Sequence, residues 1–205
     1  MLSIDPSGGL NVNLGKGPNP LSTKLNVVSK CIKAEVPTRM YMVALGGFDT
    51  HADERGTQED LLKVVDEART SFLRDMSSDK YGKNVVVLMY SEFGRRVAAN
   101  ASKGTDHGTA GPVFIAGVPV KGGFYGEEPS LTDLDDGDLK GSTEFRDIYR
   151  EVLAKTLATD PEPAVVQDAV TSASCSRLSS LAVGLPVVAC RNSRGLLRGV
   201  VTLAS

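Results

Sequence analysis

The stretch NVVVLMY, residues 84–90, constrains the fold of this chain more than any other. From Val85 through Met89 every residue is apolar, and three of them are valines in a row. Such a run offers no polar face to water, so it predicts a strand covered on both sides and central in a parallel sheet. A covered strand needs flanking layers, and helical periods elsewhere provide them. Leu21, Leu25, Val28 and Ile32 recur at helical spacing, and Pro37 closes that element. Leu61, Val65, Ala68, Phe72 and Met76 mark one face of a second helix that ends near 77. Thr57 with Asp60 suits its N-terminus, and Glu59 favours the first turn. Phe145, Ile148, Tyr149, Val152 and Leu157 give a third helix, closed by Asp160-Pro161.

Two shorter apolar runs, RMYMVAL at 39–45 and PVFIAG at 112–117, predict further strands, and Asp136-Gly137 signals a turn. The order helix, strand, helix, strand, strand, helix predicts an α/β fold, a central sheet flanked by helices on both faces. Residues 1–20 are rich in Gly, Pro, Asn and Ser and read as an irregular lead-in. Residues 21–163 carry the domain. The tail, 164–205, loses any clear period and reads as a strand pair, as an end without regular structure, or as an out-of-frame translation.

Composition narrows the function. A formal net charge of -2 gives no electrostatic footprint for nucleic acid or an anionic membrane. Cys31, Cys175 and Cys190 are odd in number and far apart, which argues for reduced thiols and against a disulfide framework or a structural zinc site. No run approaches the ~18 apolar residues of a membrane helix, and the first residues lack a basic start and an apolar core typical of an export signal.

The chain has two histidines, and both stand beside an aspartate among glycines, in GGFDTH and GTDHG. Ligands of open α/β sheets bind beyond the carboxyl ends of the strands, and both phrases fall there. Asp49 and His51, two apart, face one side of an extended segment. Carboxylate and imidazole together suit a divalent metal, zinc or manganese. His107, with Asp106 beside it, would reach the same metal from the long segment 91–111, which shows no strong element of its own. Glu92 in SEFGRR would be a further ligand or a base acting on a metal-bound water. Arg95 would hold an anionic substrate oxygen. The simpler reading knits Asp49, His51 and His107 together by hydrogen bonds, with Glu92 capping a turn and Arg95 paired to it. VKGGFYGEEP at 120–129 reads as a Gly-rich turn because no P-loop lysine follows. TDLDDGDLK fits a calcium loop poorly, its glycine falling one place early.

GGFDTHADE, SEFGRRVAANASKGTDHGTAGPVFIAG, VKGGFYGEEPSL and LDDGDLKGSTEFRDIY together resemble the bacterial family labelled domain of unknown function 1501, over about residues 20–163. That family is similar to the alkaline phosphatase and sulfatase superfamily. The resemblance implies an alkaline-phosphatase-like sheet and hydrolysis of a small phosphate or sulfate ester. It implies that Asp49, His51 and His107 ligate one metal. It aligns Glu92 and Phe93 with the superfamily's Asp-His pair for a second metal, where phenylalanine cannot ligate. It also implies that the nucleophile lies outside this chain, which would be the C-terminal half of an exported protein and inactive alone. The alternative on the same fold is a non-catalytic exported or envelope-associated binding protein.

Overall fold

A computed structural model describes residues 3–4, 10–11, 18–163, 165 and 200–204. Within them the chain is a mixed α/β protein. Strands β1 (Ser3–Ile4) and β2 (Leu10–Asn11) pair antiparallel in the lead-in. Helix α1 spans Pro20–Lys33. Its start follows from local chemistry. The Asn19 side chain accepts hydrogen bonds from the amides of Leu21 and Ser22, both at 3.0 Å, and Pro20 takes the first helical position, where no amide is needed. Lys30 and Lys33 in the last turn complement the helix dipole. The predicted face Leu21, Leu25, Val28 and Ile32 is buried.

Strand β3 (Met40–Ala44) leads into helix α2 (Glu54–Ser78), and β4 (Val86–Tyr90) follows. The α2 stripe is Leu61, Val64, Ala68, Phe72 and Met76, with Val65 at its half-buried edge. The expected Thr57/Asp60 start is corrected. The helix begins a turn earlier, at Glu54, because the chain beyond β4 caps it. The amides of Asp53 and Glu54 donate to the carbonyls of Ser102 and Lys103 at 3.0 and 3.1 Å. Asp53 itself is left-handed, at φ 43°, and its side chain makes no cap bond.

The main sheet has four strands in the order β3, β8 (Val200–Ala204), β4, β7 (Phe114–Ala116). β8 runs parallel to both neighbours, with Val200 opposite Met40 and Val86. β4 is central, as predicted, yet its other neighbour, β7, is antiparallel. A parallel pairing needs a long crossover, and the residues between β4 and β7 fold instead as a small hairpin. Its strands are β5 (Gly94–Ala99) and β6 (Thr105–Gly108). The reading of 91–111 as lacking regular structure is therefore corrected.

Alternation along β4 distributes the core. Val85, Val87 and Met89 pack with the buried faces of α1 and α2. Leu88 packs with Val152 and Leu157, beside Ile148 and Tyr149. Ile148 and Tyr149 belong to helix α3 (Phe145–Glu151), Val152 opens the π turn Val152–Thr156 that continues it, and Leu157 follows that turn. Helices thus lie on both faces of β4. The Asp136-Gly137 turn is present, with positive φ at both residues, 48° and 85°, as a type I′ turn requires. No helix among the described residues is long and apolar enough to cross a membrane. Cys31 is a free thiol. Cys175, Cys190 and all of the tail beyond 165 except β8 lie outside the described residues.

Candidate metal centre

β3 ends at Ala44, and Gly46 and Gly47 turn the chain away from the sheet. Gly47 adopts φ 106°, a backbone state that side chains disfavour, which accounts for glycine there. The next residues form a loop beyond the carboxyl end of β3 and carry Asp49 and His51, both exposed. β6 brings up His107. The Asp49 Oδ1 accepts a hydrogen bond from His107 Nε2 at 2.7 Å and lies 2.9 Å from His51 Nε2. One ligand atom from each of the three residues lies within 4.8 Å of the other two. All three are open to solvent, with side-chain exposures of 62, 46 and 48 per cent for Asp49, His51 and His107.

The geometry is held by hydrogen bonds to backbone. Arg95, on β5, donates from Nη1 to the carbonyls of Thr50 at 3.1 Å and Thr105 at 2.5 Å. Its Nη2 donates to the Phe48 carbonyl and the Thr50 hydroxyl. The guanidinium expected to receive a substrate oxygen thus clamps the Asp49/His51 loop to β6. Asn100, in the hairpin turn, holds the other side. Its Nδ2 donates to the His51 carbonyl at 3.0 Å and to Asp106 Oδ1 at 3.1 Å, while its Oδ1 accepts from the amides of Ser102 and Gly104. Gly104 permits the contact, because a Cβ there would fall 2.2 Å from the His51 carbonyl carbon. Thr105 Oγ1 donates to Glu54 at 2.7 Å, tying β6 to the start of α2.

Asp106 and His107 are neighbours on one strand, where successive side chains point apart. Both nevertheless meet the same loop, His107 at Asp49 and Asp106 at His51, the latter 3.3 Å from Nδ1. The pairing jumps from Arg95↔His107 to Ala99↔Thr105, so Asp106 alone lies opposite Arg96–Ala98. Such a bulge re-aims side chains. Phe93 stacks on the His107 ring at 4.1 Å and 10°, with the Arg95 guanidinium 5.0 Å from its centre. The Phe93 ring therefore orients the His107 ring. Glu92 is exposed in the turn after β4 and is not among the atoms gathered within 4.8 Å. Asp106 reaches the group only through His51.

Charge follows the contacts. The His107 hydrogen bond holds the Asp49 carboxyl below its ordinary value, against an opposing effect of burial and with the help of the nearby His51. The Asn100 hydrogen bond, then that of His51, lowers Asp106 in the same way. One carboxylate oxygen and two imidazole nitrogens are a donor set that zinc and manganese accept, and three protein donors leave a position open. Bonds of about 2.0–2.1 Å would place tetrahedral donors about 3.3 Å apart. The observed 2.7 and 2.9 Å separations would widen by about half an ångström on loading, a small change for exposed side chains. The donor types suit the ion, and the third separation, between the two histidines, lies within 4.8 Å.

TDLDDGDLK is occupied differently. Asp135 and Asp138 bridge across the turn, Asp133 pairs with Lys140, and Arg96 binds the Asp136 carbonyl and Asp138.

The fold and site define a mixed α/β domain with an Asp/His/His cluster at the carboxyl end of its sheet. The sequence profile of the family described as "protein of unknown function (DUF1501)" matches residues 25–168, and the chain belongs to that family. No curated protein and no solved structure matches it.

Proposed function

We propose that this chain is a divalent-metal-binding, hydrolase-like domain of the alkaline phosphatase/sulfatase type, with zinc or manganese held by Asp49, His51 and His107. The observation that carries the proposal is the convergence of three ligand atoms within 4.8 Å, from a loop and a strand far apart in sequence. A bound ion would polarise an ester oxygen or acidify a water. The residues of the chain orient that group. Phe93 fixes the His107 ring, Arg95 fixes the loop of Asp49 and His51, and the exposed Glu92 is the candidate base or additional ligand.

Two observations favour a second reading, a non-catalytic exported or envelope-associated binding protein. Phe93 stands where the resemblance places a second-metal ligand, and Arg95 is engaged with carbonyls instead of open to an anionic ester. One experiment tests both readings. The chain is loaded with zinc or manganese and assayed against aryl phosphate and aryl sulfate esters. Metal uptake without turnover supports a binding domain or a domain inactive by itself. Turnover that Glu92→Gln abolishes supports hydrolysis. Failure to take up either metal contradicts the first reading and leaves the second.

A further inference from the structure

We infer that Asp106, held by Asn100, is a positioning residue that fixes the His51 ring with its proton on Nδ1 and its Nε2 lone pair facing the cation position. The inference rests on the metal reading above and concerns residues that reading leaves without a role.

His51 lies between two carboxylates, and the contacts are unequal. Nδ1 meets Asp106 Oδ1 in hydrogen-bond geometry at 3.3 Å. Nε2 lies 2.9 Å from Asp49 Oδ1, an oxygen that already accepts the 2.7 Å bond from His107. A neutral imidazole carries one ring proton. Placed on Nδ1, it satisfies Asp106 and leaves a lone pair at Nε2, the ring nitrogen on the Asp49 side, 2.9 Å from that carboxylate. Metal-bound histidines commonly donate their other ring N–H to a carboxylate, which fixes ring and tautomer. Asp106 is built for that task. The β6 bulge turns it toward His51, and Asn100 anchors the same Oδ1 at 3.1 Å. Asn100 also binds the His51 carbonyl, so one side chain sets the backbone of the ligand and the partner of its ring.

The test compares the parent with Asp106→Ala and Asp106→Asn by two readouts. Long-range proton–nitrogen NMR of the metal-free chain, at mildly alkaline pH, reports which His51 nitrogen carries the proton. Zinc titration against a competing chelator reports affinity. The expected result is an Nδ1–H tautomer in the parent and in Asp106→Asn, which keeps an acceptor oxygen, and a shift toward Nε2–H in Asp106→Ala. Zinc affinity falls about 10–100-fold in Asp106→Ala, and Asp106→Asn recovers part of the loss. If Asp106→Ala does not fold, Asn100→Ala, which frees the same carboxylate, takes its place. An unchanged tautomer and unchanged zinc affinity in the alanine variant overturn the positioning role and leave the metal reading intact. The expected tautomer shift on Asp106→Ala, together with a parent that takes up no zinc, overturns the metal reading and leaves the hydrogen-bond assignment standing.

Discussion

The core between β4 and the helices and the cluster beyond the sheet are held by different forces. Leu25, Val87 and Met76 are about 1 per cent exposed, and burying such a side chain contributes about 1.5–3 kcal/mol. Asp49 and His51 are roughly half exposed, and their mutual contacts are screened by water. What holds them is a lattice of directional bonds from Arg95 and Asn100 to backbone carbonyls and amides. The core fixes where the strands end. The lattice fixes how the loops beyond them meet. The second has little stability of its own, so the site can be lost from a chain that remains folded.

The largest expected effect breaks the core and spares the site. Leu25→Ala should cost about 2–5 kcal/mol in urea unfolding, with metal uptake per folded molecule unchanged. Arg95→Ala should reverse that pattern, costing about 1.5–3 kcal/mol for its charge-assisted bonds and sharply weakening metal uptake. Arg95→Lys should not restore it, since an ammonium cannot reproduce the planar fork. Gly104→Ala should cost about 1–3 kcal/mol by overpacking against the His51 backbone, again with weakened uptake. Equal metal binding by parent and Gly104→Ala would show that the hairpin turn does not position His51.

A smaller effect concerns acid. Lys33, then Ser29, lowers the Asp75 carboxyl between α1 and α2. A folded value below the unfolded one, about 3.9 for Asp, means stability present above the unfolded value and lost as pH falls through the lowered folded one. Asp75 is 43 per cent exposed, so its ion pair contributes under about 1 kcal/mol. Parent and Asp75→Asn should differ near neutrality and converge in strong acid, as followed by denaturant titration at each pH. Smallest is Phe124→Ser. That ring is fully exposed, and stability should stay within about 0.5 kcal/mol.

The buried elements were legible in the sequence because burial leaves a period. Leu21, Leu25, Val28 and Ile32 announce α1, and the uninterrupted VVVLM announces a covered strand. The β5–β6 hairpin left no such trace. Its strand residues are exposed or half-buried except Gly94 and their pairing is bulged, so no alternation survives. The turn NASKG, with Asn100 and Gly104 between two extended pieces, was the available signal. The start of α2 was misplaced for a related reason. Its cap is a pair of carbonyls from that hairpin, which no local motif records. Asp49, His51 and His107 stood out by rarity and by their place after strands. Asn100 did not, because an asparagine in a turn is ordinary. Arg95 stood out for its charge, and only the fold shows that charge directed at backbone.

The most direct test of the central claim is metal content of the purified chain by elemental analysis, beside His51→Ala and His107→Ala, each confirmed as folded. Near-stoichiometric zinc or manganese in the parent and its loss in both variants is the predicted result. A parent that stays empty after incubation with either metal, or variants that retain the parent's content, would contradict an ion held by Asp49, His51 and His107.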